Sequence, residues 1–475
     1  MLRQASTYLA AHAVSALFGF ASIALFTHLL SPAEYGLYVV TMSLAGVISA
    51  VLFSWIRLSI VRFNQGTRET DMRGTALVCY LALMLVSPAV AAIVAWVSNI
   101  PLWQGAFAVL VAFSLGFFEF GQDIFRSRQT PGAYAGALIV RAATSFAFSM
   151  ALVLAGYEGE GMLIGICLGY GLAALLFAPK VWRMPLRGFD REILRKLAVF
   201  GIPMTVSGSV FALHALFDRL IILAYIGEAG AGAYGAAADL VRQIILFPAI
   251  AIGSAIIPVA ARLLADSGPE ATHRHLERSA ELIVAVLLPA VVGLALVSGP
   301  LSDLMLGPEF REAGKELIPI LAFSWLFQAV TQQYIHASFH LGQKPVLLLV
   351  QALAMLAVNA GAMFALVPRY GLQGAAWALV IAELFGMVIG YALSFRAQRL
   401  FFKVSDFMKS GAATAVMALS TTICLHLGPE GSFPTLIASI LVGIASYAAA
   451  AVLLNVLALR GEALGFLQRL KERLA

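Results

Sequence analysis

Long apolar runs, each followed by a short polar loop, recur along nearly the whole chain. The run GTALVCYLALMLVSPAVAAIVAWV, from Gly74 to Val97, contains no charged residue. A helix needs about 20 mostly apolar residues to cross the hydrocarbon layer, where every backbone amide must be satisfied within the segment. Strands of a transmembrane barrel would be about 10 residues long and would alternate polar with apolar positions. The pattern therefore predicts a bundle of membrane-spanning helices.

The apolar runs and the loops between them predict about 14 transmembrane helices, and hence an all-α polytopic membrane protein. An even number of spans places both termini on the same side of the membrane. The predicted spans are residues 8–30, 36–61, 74–97, 102–122, 134–156, 161–179, 198–226, 233–260, 279–298, 316–339, 346–367, 372–395, 410–427 and 433–458.

Composition agrees with this class of protein. Hydrophobic residues make up 61% of the 475 residues and charged residues 12%, whereas soluble domains are about half apolar and about a quarter charged. The first apolar run is longer than a signal-peptide core and no small-x-small site closes it, so we expect it to remain as the first span. The three cysteines lie far apart in apolar runs and have no metal-ligand or redox spacing.

The basic residues indicate how the chain is oriented. The net charge is +6, but nearly all lysines and arginines outside the spans fall in alternate loops, while the opposite loops hold only Arg311, Lys315 and Arg369. Short cytoplasmic loops carry such an excess of basic residues. We therefore expect both termini to be cytoplasmic, and the positive charge to orient the protein in the membrane rather than to bind nucleic acid.

Two short repeated motifs predict that the chain consists of two similarly oriented halves, as parallel repeats require. In the first motif Tyr35-Gly36 matches Tyr234-Gly235, and in the second Tyr157 and Gly161 match Tyr370 and Gly374. We expect two six-helix lobes followed by two extra C-terminal helices. The predicted parts are an N-terminal lobe at 1–180, a cytoplasmic amphipathic linker at 181–197, a C-terminal lobe at 198–397, and the last two spans with a cytoplasmic tail at 398–475.

Charged side chains inside predicted spans are candidate site residues, because a central charge costs about 2.5 to 3.5 kcal/mol to insert and usually faces a cavity or a partner. Arg57 lies near the inner end of the second span, where it either snorkels to the surface or faces inward. An alternative for the pairs on the seventh and eighth spans is that they only fasten the two helices together as salt bridges. The charged candidates are Arg57, Arg141, Asp218, Arg219, Asp239 and Arg242.

Uncharged polar groups and a lone carboxyl extend the candidate set. Glu383 lies in the middle of the twelfth span and is either a packed neutral carboxyl or part of a proton path. Gln332, Gln333 and Asn359 can join helices by hydrogen bonds or contact sugar hydroxyls. No nucleophile elbow, phosphate-binding loop, metal-ligand spacing or large outward loop is present in the sequence, which argues against an enzyme and against a resident cofactor or metal.

The segments LSPAEYGLYVV, FDRLIILAYIGEAGAGAYGAAADLVRQ and YGLQGAAWALV resemble the polysaccharide-repeat-unit flippases of the multidrug/oligosaccharidyl-lipid/polysaccharide exporter superfamily. The resemblance implies two six-helix lobes around a central cavity that opens alternately to either side of the bacterial inner membrane. It also implies transfer of undecaprenyl-pyrophosphate-linked oligosaccharides to the periplasmic leaflet, for O-antigen, exopolysaccharide or capsule synthesis. By similarity, Arg57, Arg219 and Arg242 bind the pyrophosphate, with Arg141 as a further candidate.

The same resemblance implies roles for the remaining candidate residues and indicates the partners of the protein. Asp218 and Asp239 would hold the arginines in the empty site, and Glu383 would serve ion coupling by H⁺ or Na⁺. The expected partners are the lipid-linked oligosaccharide, membrane lipids, and polysaccharide polymerase or export machinery. Two alternatives stay open: a cation-coupled multidrug exporter of the same superfamily, which should favour acidic over arginine cavity residues, and a non-transporting scaffold of a polysaccharide assembly complex.

Overall fold

The computed structural model describes residues 2–64, 71–183, 188–429 and 432–458. Throughout these ranges the regular structure is helical and no strand occurs. The prediction of an all-α polytopic membrane protein is confirmed. In the described residues, eleven helices are long and apolar enough to cross a membrane.

The difference between eleven such helices and the 14 predicted spans has a simple origin. The continuous helical stretches Pro131–Val181 and Val346–Ser394 are 51 and 49 residues long, and each contains two predicted spans joined at a kink. The predicted tenth span, 316–339, falls on a helix that begins at Arg311 with a charged first turn and passes into a π-helical turn. Counted in this way, the described residues contain all 14 predicted spans.

The chain divides into two compact units, Met1–Gly235 and Ala236–Ala475. In the first unit the helix Arg191–Ile226 runs antiparallel to the helix Pro32–Phe63, since the Oγ of Ser59 donates to the carbonyl of Leu197 and Gly201 lies against the carbonyl of Trp55. The helices that begin in this unit are α1 Leu2–Leu29, α2 Pro32–Phe63, α3 Arg73–Ser98, α4 Leu102–Ser127, α5 Pro131–Leu152, α6 Glu158–Val181, α7 Arg191–Ile226 and α8 Glu228–Asp266, which continues into the second unit.

The predicted linker, 181–197, falls partly on residues 184–187, which lie outside the described residues, as does the tail from 459 onward. From Arg191 the linker sequence is already part of α7, whose N-terminus is capped by the carboxylate of Asp190 accepting from the amides of Glu192 and Ile193. The first compact unit extends along the chain to Gly235, because α7 packs along α2. The lobe boundaries stay a prediction.

The second unit contains the rest of α8 and the following helices. Its elements are α9 Gly268–Leu296, α10 Ser298–Met305, α11 Arg311–Val330, α12 His336–Leu341, α13 Val346–Ser394, α14 Val404–Leu427 and α15 Phe433–Leu453, with a π-helical turn at Thr331–Ile335 and short 3₁₀ turns at Pro308–Phe310 and Val456–Ala458.

The second repeated motif, at Tyr157 and Tyr370, has the same backbone conformation in both halves. Gly371, one residue after Tyr370, has φ 57° and ψ −133°. Glu158, one residue after Tyr157, has φ 47° and ψ −136°. This conformation reverses the chain so that the two helices on either side pack against each other, and it strongly favours glycine. The two halves therefore turn in the same way at matching positions, although only the second has the residue suited to it.

Candidate functional site

Arg57, on α2, lies between two carboxylates of α4. Its Nε donates to Asp123 Oδ2 at 2.9 Å, and its Nη1 forms an ion pair with Glu119. The Arg57 side chain is 20% exposed and that of Asp123 only 2%. Arg57 thus joins α2 to α4 through an ion pair within the helical bundle. Of the two sequence interpretations, the structure favours the inward-facing one over snorkelling.

One of the carboxylates that hold Arg57, that of Asp123, also contacts a second arginine. Arg126 Nη1 donates to Asp123 Oδ1 at 3.2 Å, and its Nη2 donates to the Tyr134 hydroxyl at 2.9 Å. Two arginines therefore face two carboxylates, and the cluster is balanced in charge. Buried charges that are mutually compensated in this way are costly to separate.

Arg141, on α5, has a different environment. Its Nη1 donates to the Tyr170 hydroxyl at 3.0 Å and its Nη2 to Ser15 Oγ at 2.9 Å, and the guanidinium lies 5.2 Å from the centre of the Tyr170 ring. Within the described residues it makes no ion pair, and its buried Nε has no hydrogen-bond partner. Arg141 is therefore a cation held by hydroxyl groups and an aromatic ring rather than by a carboxylate.

Arg219 lies near the carboxyl end of α7, where the chain turns into α8. Its guanidinium lies 5.1 Å from the centre of the Tyr234 ring. Its Nη1 is buried and has no hydrogen-bond partner among the described residues, and the same is true of the Tyr234 hydroxyl and of His214 Nε2. Asp218, the preceding residue, is only 4% exposed. This corner of the first unit gathers buried polar atoms that have no hydrogen-bond partner among the described residues, and one of them belongs to the half-buried Arg219.

Asp239 and Arg242 belong to the second unit and lie about one turn apart on α8. Arg242 is exposed and Asp239 is half-buried. In the described part of the chain no hydrogen bond or ion pair joins them, although their spacing allows one. The guanidinium of Arg242 is thus accessible from outside the unit.

Glu383 is 2% exposed on the second half of α13, and its Oε1 accepts a hydrogen bond from Gln328 Nε2 at 2.9 Å. Asn359, on the first half of α13, is fully buried. Asn359 lies within the helix packing, where a hydrogen bond between helices is the common role of such a side chain.

Gln332 and Gln333 both fall in the π-helical turn that interrupts the α11 to α12 segment. Both are half-buried, and Gln333 lies directly against Gly253 of α8, where a Cβ would stand 2.0 Å from its Oε1. Single π-helical turns occur often at functional sites, since the extra residue redirects side chains. Gln332 and Gln333 stay candidates for sugar contacts.

Sequence reasoning did not predict the partners of Arg57 and Arg141. Glu119 and Asp123 are four residues apart, so they share one face of α4, and that face lies at the level of Arg57. This spacing is the signal that could have found the cluster. No comparable signal identifies Tyr170 and Ser15 as partners of Arg141, because hydroxyl groups are common in such helices. Among the described residues, no group of three or more His, Cys, Asp or Glu side chains is placed to hold a metal ion.

Comparison with known protein families places this geometry in context. A family model described as "Polysaccharide biosynthesis protein" matches residues 25–315, which is more than half of the chain. A protein of Shigella flexneri named "Putative O-antigen transporter" is 27% identical over 188 residues. That match covers 40% of this chain and 44% of the relative, so the chain spans less than half of that relative's length.

Solved structures with the same fold include a lipid II flippase, MurJ, in an inward closed conformation. It shares 13% identity, with a TM-score of 0.77 over 94% of this chain and 98% of that one. An inward-facing multidrug resistance transporter of the MATE family shares 16% identity, with a TM-score of 0.62 over 82% of this chain and 97% of that one. At these identities the likeness concerns the fold. The names of these proteins are those of transporters and a flippase, in agreement with the prediction of a non-enzymatic protein.

Proposed function

The chain belongs to the polysaccharide biosynthesis protein family, and from this membership we propose that it is a flippase for lipid-linked oligosaccharides. The substrate is an undecaprenyl-pyrophosphate-linked repeat unit for O-antigen, exopolysaccharide or capsule synthesis. The protein carries it from the cytoplasmic to the periplasmic leaflet of the bacterial inner membrane by alternating access. Polysaccharide polymerase and export machinery are its proposed protein partners.

The observation that carries this proposal is the state of Arg219. Arg219 is half-buried, and a buried donor such as its Nη1 is costly unless something accepts its hydrogen bond. A diphosphate has several acceptor oxygens and two negative charges, and arginine can bind it through two parallel hydrogen bonds. Tyr234 holds the guanidinium in place without consuming those donors. The site is therefore matched to an anion that arrives and leaves.

The other arginines contribute to different degrees. Arg242 is exposed and presents its whole guanidinium fork, and Arg141 retains an unfilled Nε. Arg57 is paired with Glu119 and Asp123, so it can contact a pyrophosphate only if those carboxylates are protonated or move away. We rank Arg219 and Arg242 first as pyrophosphate ligands, Arg141 next and Arg57 last. Asp218 and Asp239 act as local counter-charges.

The test measures export of surface polysaccharide in a strain that lacks the native gene for this protein and expresses each variant in its place. Arg219→Ala and Arg242→Ala should each abolish export while membrane-inserted protein stays at the wild-type level. Arg274→Ala is the matched control, because Arg274 is an exposed arginine on α9 whose ion-pair partner among the described residues is Glu270 of its own helix. Normal export by both site variants would remove the pyrophosphate assignment and favour a non-transporting scaffold. Accumulation of a lipid-linked intermediate in the deletion strain would identify the substrate.

A cation-coupled multidrug exporter is the second candidate, favoured by the fold shared with a MATE transporter. The two functions separate in everted membrane vesicles. Extrusion of cationic dyes, together with normal surface polysaccharide in the deletion strain, would favour the exporter. Vesicles that do not extrude the dyes, together with loss of surface polysaccharide in the deletion strain, would favour the flippase.

Coupling to H⁺ or Na⁺ is a separate part of the proposal, assigned to Glu383. Its burial and its hydrogen bond from Gln328 suit a carboxyl that changes its protonation during transport. Glu383→Gln keeps the size and the hydrogen bonding of the side chain but cannot titrate. It should flatten the pH dependence of transport, and an unchanged pH profile would remove Glu383 from the path.

A further inference from the structure

A cavity lined by aromatic rings lies in the first unit, where the carboxyl-terminal ends of α4 and α6 meet the first turns of α5. Its enclosed volume is about 20 Å³, and the space not filled by protein atoms reaches about 320 Å³ when the part open to the outside is included. Small residues complete the lining and leave room between the rings. The rings belong to Phe117, Phe118, Phe120, Phe125, Phe177 and Trp182. None of these residues takes part in the proposed pyrophosphate site.

Cationic side chains border this cavity at the start of α3, just after the end of α4 and near the end of α6. Lys180 Nζ lies 5.1 Å from the centre of the Phe177 ring, and the Arg73 guanidinium lies 5.8 Å from the Trp182 ring. Arg128 Nη1 donates to the carbonyls of Lys180 and Val181 at 3.1 and 3.2 Å, and Val181 itself lines the cavity. We call Arg73, Arg128 and Lys180 the basic rim.

The charges of the basic rim are only partly compensated. Asp71 binds Arg73 through two hydrogen bonds of 2.8 Å, which neutralises that arginine. The Nε and Nη2 of Arg128 are buried and have no hydrogen-bond partner among the described residues. Burial, followed by the positive charge of Arg73, lowers the pKa of Arg128. The basic rim therefore offers uncompensated charge and two unfilled donors at the edge of an apolar cavity.

The helix face beside the cavity is suited to lipid. Leu175 and Leu176 of α6 adjoin the lining residue Ala174 and are 72% and 58% exposed. Large apolar side chains at this exposure, in a helix long and apolar enough to span the membrane, are suited to contact acyl chains. A molecule that enters the cavity from this side comes out of the bilayer rather than out of water.

We propose that the aromatic cavity and its basic rim bind an anionic phospholipid of the surrounding leaflet, with part of one acyl chain among the rings and the phosphate at Arg128. An amphiphile satisfies both halves of the arrangement, since the rings take the chain and the unfilled donors of Arg128 take the phosphate oxygens. Basic pockets between membrane helices hold anionic headgroups for this reason. This site is independent of the proposed transport function.

The experiment uses the full chain in phosphatidylcholine nanodiscs that contain a photoreactive phosphatidylglycerol with the reactive group on an acyl chain. Crosslinks should map to the ends of α4 and α6, and unlabelled phosphatidylglycerol should compete while phosphatidylcholine should not. Arg128→Gln should weaken this competition about fivefold, the expected contribution of one basic residue to an anionic lipid. Ala174→Phe, which fills the cavity, should abolish the crosslinks.

Two further variants define what else would overturn the proposal. Arg274→Gln removes one exposed positive charge in the second unit and should leave labelling unchanged. Gln122 is the amide in the lining, and its buried Oε1 has no partner in the described part of the chain. Gln122→Leu should retain labelling, because an acyl chain donates no hydrogen bond. Loss of labelling in Gln122→Leu would show that the occupant is a hydrogen-bond donor and not an acyl chain.

Competitors distinguish the source of the anionic group. Inorganic phosphate should not displace the photoreactive phosphatidylglycerol, and a short-chain polyprenyl diphosphate should displace it no better than phosphatidylglycerol itself. Displacement by phosphate alone would reduce the site to a simple anion site. Preference for the polyprenyl diphosphate would assign the cavity to the carrier lipid instead, and equal competition by phosphatidylcholine would show that the basic rim plays no part.

Discussion

Arg57 and Arg219 both lie within helices of the first unit, and their surroundings are opposite in kind. Arg57 meets two carboxylates, whereas Arg219 packs against the ring of Tyr234 and retains a buried, unfilled donor. An arginine already neutralised by carboxylates gains little from a phosphate, since the anion would first have to displace them. An arginine with an unfilled donor gains a hydrogen-bond partner from the phosphate. The two positions therefore separate a role in holding helices together from a role in binding an anion.

The largest expected effect on stability is that of Arg57→Gln. This change leaves Glu119 and Asp123 with one cation fewer, and removing one partner of a buried ion pair costs about 3 kcal/mol. The midpoint of thermal unfolding in detergent should fall accordingly. The double variant Arg57→Gln with Glu119→Gln removes the charge imbalance and should recover part of the loss. A wild-type midpoint for Arg57→Gln would make its ion pairs irrelevant to folding and end the contrast with Arg219.

Arg219→Gln should give the reverse combination of results. Among the described residues no ion pair joins Arg219 to a carboxylate, so the thermal midpoint of this variant should stay near that of the wild type. Polysaccharide export should fall by more than about tenfold, the loss expected when a charge-assisted hydrogen bond to the substrate disappears. Arg219→Lys should restore only part of the export, because lysine lacks the planar fork. A large drop in the midpoint would place Arg219 among the structural ion pairs instead.

The fold was largely predictable from the sequence because its signals are local. Each span is a run of apolar residues, and the turn after Tyr157 and Tyr370 is marked by the same short pattern in both halves. The tenth predicted span shows the limit, since its charged first turn and its π-helical turn break the apolar pattern. Helix length and kinks depend on packing that no single window of sequence contains.

The candidate site was predictable only in part, because its partners are distant in sequence. Burial cost alone identified the arginines inside the spans. It could not show that Arg57 meets Asp123, 66 residues away, or that Arg141 meets Ser15, 126 residues away. The sequence therefore indicated which side chains needed partners. Only the structure showed that Arg57 pairs with carboxylates, whereas Arg141 is held by hydroxyl groups.

Tyr234 offers a smaller test of the same comparison. Its ring holds the Arg219 guanidinium by a cation–π contact worth about 1 kcal/mol, so Tyr234→Leu should lower export about fivefold. Tyr234→Phe keeps the ring and removes a hydroxyl that has no hydrogen-bond partner in the described residues, and its export should match the wild type. Equal losses in both variants would mean that the hydroxyl, and not the ring, contacts the substrate.

The smallest expected effect concerns a third paired arginine, Arg73, whose partner Asp71 lies outside the spans. Burial alone would raise the pKa of Asp71, but the hydrogen bonds from the Arg73 side chain and amide, together with its charge, lower it below the usual value. A carboxyl with a lowered folded-state pKa stabilises the protein above its unfolded pKa of about 3.9, and this stabilisation is lost as the pH falls through the folded-state pKa. The thermal midpoint of the wild type should therefore exceed that of Asp71→Asn at neutral pH, and the difference should shrink in acid. A difference that stays constant down to the folded-state pKa would show that the ion pair contributes nothing, and that Asp71 acts only through hydrogen bonds that asparagine cannot replace.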